Sequence, residues 1–162
     1  MIVVSDATAI NHLGRAGLIF ILPEMLGTVI VPSAVYAELQ ARETPPVVRA
    51  IVDALPDWLQ VRNASLIVDA ELDQLDRGER EAIILVEELK AELLLMDEKK
   101  GRRIATERKI TVIGTLGLLE RAALLGMVDF RNALNALRGT DFYFSRDLEA
   151  DFLKRFPGGE DE

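Results

Sequence analysis

The sequence predicts an α/β protein with a central, mainly parallel sheet and helices packed on both of its faces. Three observations predict it. Short apolar runs without polar alternation ("IVV" at 2–4, "TVIV" at 28–31, "LLLM" at 93–96, "ITVI" at 110–113) have the pattern of strands buried on both faces. Segments of helical periodicity lie between these runs, and that alternation gives a parallel sheet. Two of the runs lead straight into acids: "MIVVSDATAI" into Asp6, and "LLLMDEKKGRR" into Asp97 and Glu98.

The elements follow in order. The strand at 2–4 is followed by a helix from about Ala9 to Ala16. The strand at 28–31 is closed by Pro32, and Ser33 is placed to cap a helix through "AVYAELQA". "ETPP" breaks that helix, and "VVRAIVDAL" forms the next, ended by Pro56. "WLQVRNA" is a weak strand or an extended connection. "GEREAIILVEELKAE" is a strong helix, then come the strand at 93–96, the helix "GRRIATER" and the strand at 110–113. "LGLLERAALLG" is a helix closed by Gly126. "FRNALNAL" and "RDLEADFLKRF" are two further helices, the second with Ser145 as its cap. No repeat or low-complexity linker interrupts the chain. The expectation is one domain over residues 1–156, with a helical C-terminal extension from about 127 and a flexible tail at 157–162.

Composition narrows the chemistry. The 162 residues can bury a sizeable core. Cysteine is absent, which excludes disulfides and thiolate metal sites. His12 is the single histidine, so neither a histidine-rich metal site nor a Ser-His-Asp triad is expected. No signal peptide is visible, and "AGLIFILPEMLGTVIVP" is too interrupted to span a membrane. A soluble cytoplasmic protein is expected. The net charge of −8, with 27 acids against 19 bases, argues against a simple phosphate-binding surface. It is compatible with acids that hold divalent cations, because bound ions change the local sign.

In parallel sheets of this kind, ligands bind beyond the C-terminal ends of the strands. Asp6, Asp97 and the Gly114-Thr115 pair after the last strand all occupy that edge. On the helix "GEREAIILVEELKAE", at ~100° per residue, Ala82, Ile83, Leu85, Val86 and Leu89 form an apolar stripe. Glu79 lies on it, roughly 50° from its centre, and Glu81 is farther round at roughly 110°. Arg80 and Ile84 lie nearly opposite, and Glu87 and Glu88 face solvent. Glu38 shares the inward face of its helix with Val35 and Ala41. An unpaired carboxylate over a core is costly and needs a partner, a proton or a metal. A first-turn Glu stabilised by the helix dipole, or a surface ion pair, would give the same pattern for either residue alone. Together, Asp6, Glu38, Glu79 and Asp97 are hard oxygen ligands that suit Mg²⁺ or Mn²⁺. Thr8 and Ser5 are turn or cap residues, or hydrogen-bond donors beside such a rim. The basic run Lys99, Lys100, Arg102 and Arg103 is either a solvated helix face or a phosphate-contact strip.

The ordered blocks "VVSDATAI", "VIVPSAVYAEL", "GEREAIILV", "LLLMDEKKGRRIA" and "ITVIGTLGLL" resemble those of the PIN-domain nucleases. That superfamily includes the VapC-type toxins, and the likeness is greatest to a PIN-like prokaryotic subgroup. It covers roughly residues 2 to 125. The resemblance implies a PIN-like three-layer α/β/α fold and a metal-dependent ribonuclease-like site with Asp6, Glu38, Glu79 and Asp97 as catalytic and metal-binding acids. Thr8 and Thr115 would support it, with Mg²⁺ or Mn²⁺ as cofactor. It also implies RNA as substrate, an antitoxin protein as partner of a toxin–antitoxin pair, and a homodimer. Two departures stand out. Many PIN domains end the fourth block in Thr, any residue, Asp, whereas this chain has Leu95, Met96, Asp97, so Glu98 could share or replace the role of Asp97. The C-terminal part exceeds a minimal PIN domain; its Phe142, Tyr143, Phe144, Phe152 and Phe156, with Ile84, would form an association surface wherever exposed.

Other chemistries fail on pattern. "SDATAI" lacks the second Asp of a phosphotransfer DxD motif, and "GTLGLL" has neither the Lys of a P-loop nor GxGxxG spacing. The remaining alternative is a non-catalytic, partner-binding module of the same fold. Carboxylates that converge favour the enzyme; carboxylates neutralised by Lys or Arg favour the module.

Overall fold

In a computed structural model, which describes residues 1–155, five strands form one sheet. They are β1 (Val3–Ser5), β2 (Val29–Pro32), β3 (Leu59–Arg62), β4 (Leu93–Leu95) and β5 (Val112–Ile113). All pair in parallel, in the spatial order β3-β2-β1-β4-β5. The chain builds outward from β1 to β3, then returns to the other side of β1. The β1/β4 boundary is therefore the switch point of the sheet, where a crevice opens at the C-terminal edge.

Alternate strand residues feed two cores. Val3, Val29, Val31, Leu59, Leu93, Leu95 and Ile113 pack into one. That side is covered mainly by α1 (Ala7–Arg15), α2 (Ile21–Leu26), α4 (Pro46–Asp53), α7 (Thr115–Leu124) and α8 (Phe130–Arg138). Val4, Ile30, Leu94 and Met96 pack into the other, beneath α5 (Arg77–Leu89) and α6 (Lys99–Glu107). The helix α3 (Ser33–Leu39) touches both α1 and α5. Burial of each Val, Leu or Ile contributes roughly 1.5–3 kcal/mol, which explains why strands of two to four residues suffice here. Among the described residues no helix is long and apolar enough to cross a membrane.

Several expectations are corrected. The stretch around Pro23, given no element from the sequence, folds as α2, with Pro23 in the first turn, where a missing N–H costs nothing. Ser33 begins α3 and makes no side-chain cap bond; the turn is set by Pro32 in extended conformation. The helix predicted from Ala9 starts at Ala7, because Asp6 is its cap. The strand predicted from 110 is only Val112–Ile113.

The largest correction concerns α5. Ile84, placed opposite the apolar stripe, is buried, and so is Glu81. The helix is covered on its outer side by α3, α6 and the segment before it, which contains a 3₁₀ turn at Leu72–Gln74. Leu72 and Leu75 from that segment join the same core. Arg108 pins the segment down, bonding Asp69 at 2.7 Å, Glu71 at 3.0 Å and Glu87 at 2.8 Å. Periodicity counted one buried face; the tertiary structure supplies two.

The C-terminal extension packs on the core. Phe130, Ala133, Leu134 and Leu137 bury one face of α8. The last helix, α9 (Arg146–Leu153), is capped by Ser145. It docks through Phe152, stacked on Phe130 at 5.7 Å, and through the pairs Arg138–Glu149 and Arg155–Glu120. Phe142, Phe144 and Phe152 are partly buried, while Tyr143 is 86% exposed. Phe156 and the expected tail at 157–162 lie outside the described residues.

Candidate active site

The two central strands bring Asp6 and Asp97 together. Ser5 is in register with Leu95, and the Asp6 N–H donates to the Leu95 carbonyl at 3.0 Å. Asp6 is 3% exposed. Its Oδ1 accepts from the Thr8 N–H at 3.1 Å, capping α1. Burial first, and then the Asp97 charge, pushes the Asp6 carboxyl up to about 7; the backbone N–H groups of Ala9, Asp97 and Thr8 pull the other way.

Asp97 sits at the N-terminus of α7. It accepts from the Thr115 N–H at 2.8 Å and from the Thr115 hydroxyl at 2.6 Å. Gly114 makes this approach possible: a side chain there would start 2.9 Å from Asp97 Oδ1 and would run into the Arg102 guanidinium. Ser5 turns inward, and its hydroxyl donates to the Asp6 carbonyl at 2.9 Å.

Asp6, Glu38, Asp76, Glu79 and Glu98 line one small pocket of about 100 Å³. Asp97 instead lines an adjoining groove, and Thr8 and Glu98 border both spaces. Glu79 enters from the first turn of α5. Its Oε2 is buried with no hydrogen-bond partner. Burial, then Asp76, then Glu98 push its carboxyl well above the usual range. Glu38 is exposed on α3 rather than packed inward, yet its carboxyl reaches the pocket. It too is raised, first by partial burial and then by Asp76.

Two glycines keep the pocket open. A side chain on Gly78 would start 3.4 Å from Glu38 Oε2. One on Gly101 would start 3.0 Å from Glu79 Oε2 and 2.5 Å from the Met96 sulfur. None of Asp6, Glu38, Asp76, Glu79, Asp97 or Glu98 forms an ion pair with Lys or Arg among the described residues. Glu81, by contrast, is satisfied by the Arg77 guanidinium at 2.8 Å and the Ala34 N–H at 3.3 Å. Among the described residues no three acids or histidines already form a preformed metal cage. The carboxyls surround a space.

Asp76 escaped the sequence reading. The signal was present: "DRGE" is a capping-box pattern, and Asp76 Oδ1 accepts from the Glu79 N–H at 2.8 Å. Glu98, which the sequence had offered beside Asp97, is a cap as well: it holds the start of α6 through the Gly101 N–H at 2.8 Å. Both caps turn their carboxyls toward Glu79.

Comparison with curated proteins found no match. Among solved structures, the chain is similar to a PilT N-terminus domain protein from the hyperthermophilic archaeon Sulfolobus solfataricus. The identity is 15%, the TM-score is 0.48, and the match covers 90% of this chain and 98% of that one. The DUF3368 family model, described as a PIN domain, matches residues 2–157. On that match, which spans nearly the whole sequence, the chain belongs to the PIN-domain family, whose fold is of the nuclease type.

Proposed function

We propose that this protein is a divalent-metal-dependent endoribonuclease that hydrolyses RNA phosphodiester bonds. One observation carries the reading: carboxyls from the end of β1, from α3, α5 and the β4–α6 junction gather around one pocket and its adjoining groove, with no ion pair to Lys or Arg among the described residues. A non-catalytic module would gain nothing from leaving them unneutralised, since each raises the cost of ionising the others. The choice of RNA, and a role as the toxin of a toxin–antitoxin pair, rest on the resemblance to the VapC-type PIN domains.

The residues fit a hard cation. The orphaned Glu79 Oε2 and the space cleared by Gly78 and Gly101 are what an oxygen-ligated ion would use. Asp6, Glu38, Glu79 and Asp97 would hold Mg²⁺ or Mn²⁺, with Glu98 and Asp76 in reach. When bound, such an ion activates water and stabilises charge developing on the phosphate. The chain's own contribution is positioning. Strand ends fix Asp6 and Asp97, Thr115 orients Asp97, and Thr8 orients Asp6. Asp76 and Glu98 help to raise the Glu79 carboxyl, and Asp76 that of Glu38.

A homodimer is part of the same proposal. Ile84 is core and takes no part; the most exposed apolar side chains open to it include Leu66, Val68, Leu124 and Leu125.

The test is cleavage of a fluorescent single-stranded RNA by wild type and Asp6→Asn, each with EDTA, Mg²⁺ or Mn²⁺. Cleavage is expected only for wild type with metal. Equal cleavage in EDTA, or undiminished cleavage by Asp6→Asn, would overturn the reading.

A further inference from the structure

Beside the carboxylate rim lies a groove of about 660 Å³ that the hydrolytic chemistry does not itself require. Asp97 forms part of its inner edge, and Thr8 and Glu98 are shared with the acidic pocket. The groove is therefore a path open to a polymer with one phosphate at the rim.

Its floor is built by α1, β5 and the start of α7, and two further segments bring polar or aromatic side chains to it. The first turn of α6 supplies Lys99 and Arg102. Lys99 is exposed, with no ion pair among the described residues. Arg102 is held by one bond to the Met96 carbonyl at 3.3 Å, leaving its remaining donors free for other acceptors. Of the other acids in the groove, Asp97 and Glu98 belong to the rim, and Asp141 is paired with Arg15 at 3.4 Å. Lys99 and Arg102 are thus the groove's unpaired cations, set along it from the unpaired carboxylates Asp97 and Glu98 at its inner edge.

The second segment is the loop between α8 and α9. Phe142 is packed edge-on against His12 at 5.1 Å between ring centres, and His12 is tied by Nδ1 to the Thr140 hydroxyl at 2.8 Å. Arg15 holds the Thr140 carbonyl at 2.6 Å. This anchoring fixes the loop, yet Tyr143 projects from it as a nearly fully exposed aromatic. An exposed ring on an anchored loop, lining the same groove as two unpaired cations, is a construction that can stack an unpaired nucleobase while its phosphate is neutralised.

We infer that this groove is a subsite for one unpaired nucleotide next to the scissile phosphate, with Tyr143 stacking on the base and Lys99 and Arg102 contacting the phosphate. The substrate at that position is then single-stranded, because a duplex hides the faces of its bases. The C-terminal extension builds the wall that selects it. This inference rests on the nuclease reading of the adjoining rim.

The test uses the full chain and a single-stranded oligoribonucleotide carrying 5-bromouridine, irradiated in Mn²⁺ and mapped by mass spectrometry. Anisotropy titrations of the unmodified oligonucleotide and its duplex run beside it. The crosslink is expected on the peptide containing Phe142 and Tyr143. Tyr143→Ala should weaken single-strand binding about tenfold and leave duplex binding unchanged, while Tyr143→Phe, which keeps the ring, should bind like wild type. Lys99→Ala should weaken both and lower the salt slope by about one. A crosslink elsewhere, a Tyr143→Ala that binds like wild type, or one that weakens single strand and duplex equally, overturns the inference. So does a Tyr143→Ala that loses only a co-purifying protein partner, and so does wild type that binds no RNA. Metal-dependent cleavage that is indifferent to Tyr143 would sink this subsite and spare the nuclease reading. Tyr143-dependent binding without any cleavage would do the reverse.

Discussion

Thr115 holds both oxygens of Asp97, its N–H on Oδ1 at 2.8 Å and its hydroxyl on Oδ2 at 2.6 Å. The strand end β4 places Asp97, but Thr115, fully buried at the start of α7, decides which way the carboxylate faces.

Thr115→Val removes one of these bonds and keeps the shape. Groups that orient a ligand-bearing carboxylate typically cost 10–100-fold when lost, so single-turnover RNA cleavage should fall about tenfold or more. The melting temperature should drop by an amount corresponding to about 1 kcal/mol. Cleavage at the wild-type rate with the same small loss of stability would make Thr115 purely structural.

The two glutamates of α5 should separate cleanly. Glu79→Gln removes a carboxyl that only other carboxyls adjoin at the rim; it should cut cleavage by orders of magnitude and leave the metal-free protein as stable or more so. Glu81→Gln touches the Ala34 and Arg77 bonds only, and should cost about 1 kcal/mol of stability with cleavage nearly intact. Comparison of both variants by thermal melts and single-turnover rates checks this; equal catalytic losses would contradict it.

Stability of the metal-free protein should fall as pH rises. Asp6 is raised from 3.8 to about 7 in the folded state, so between those values the folded chain binds more protons than the unfolded one. The contribution is favourable below about 4 and is lost as pH climbs through about 7; at ~1.4 kcal/mol per pKa unit its upper bound is on the order of 4 kcal/mol. The raised Glu79 extends the decline upward. Urea titrations at pH 5 and pH 8 should show the loss, and Asp6→Asn should shrink it. In the wild type, Mn²⁺ should compete with these protons and restore stability at pH 8, by ~2.7 kcal/mol at a hundredfold excess over its dissociation constant.

Gly101→Ala should destabilise although it sits in a helix. Ala normally gains about 1 kcal/mol over Gly there. Here its Cβ meets the Met96 sulfur and Glu79 Oε2, and overpacking of this kind costs about 1–3 kcal/mol. Melting above wild type would show that the pocket can yield. The metal-induced thermal shift should shrink with it, since Glu79 must move.

Assembly is checked by light scattering across a concentration series. A dimer mass at micromolar concentration is expected, weakened by replacing Leu66 and Val68 with Ser; a monomer at every concentration removes the dimer.

The sequence by itself determined the parallel sheet and the acids at its rim. Runs such as Val3-Val4 and Leu93–Leu95 have no polar alternation, so each had to be a strand covered on both faces, and whatever followed had to emerge at one edge. Asp6 and Asp97 are legible for that reason, whereas Asp76 was missed although its capping pattern stands in the sequence. Only the tertiary structure decided which helix faces are buried. Ile84 and Glu81 are enclosed because the 69–75 segment, pinned by Arg108, and the start of α3 cover the outer side of α5. Helical periodicity reports a single interface and cannot register a second one supplied by residues distant in the chain. The same holds for the groove: Lys99 and Tyr143 lie 44 positions apart in the sequence, and only the docking of α8 and α9 through Phe130, Phe152 and His12 brings both to one groove.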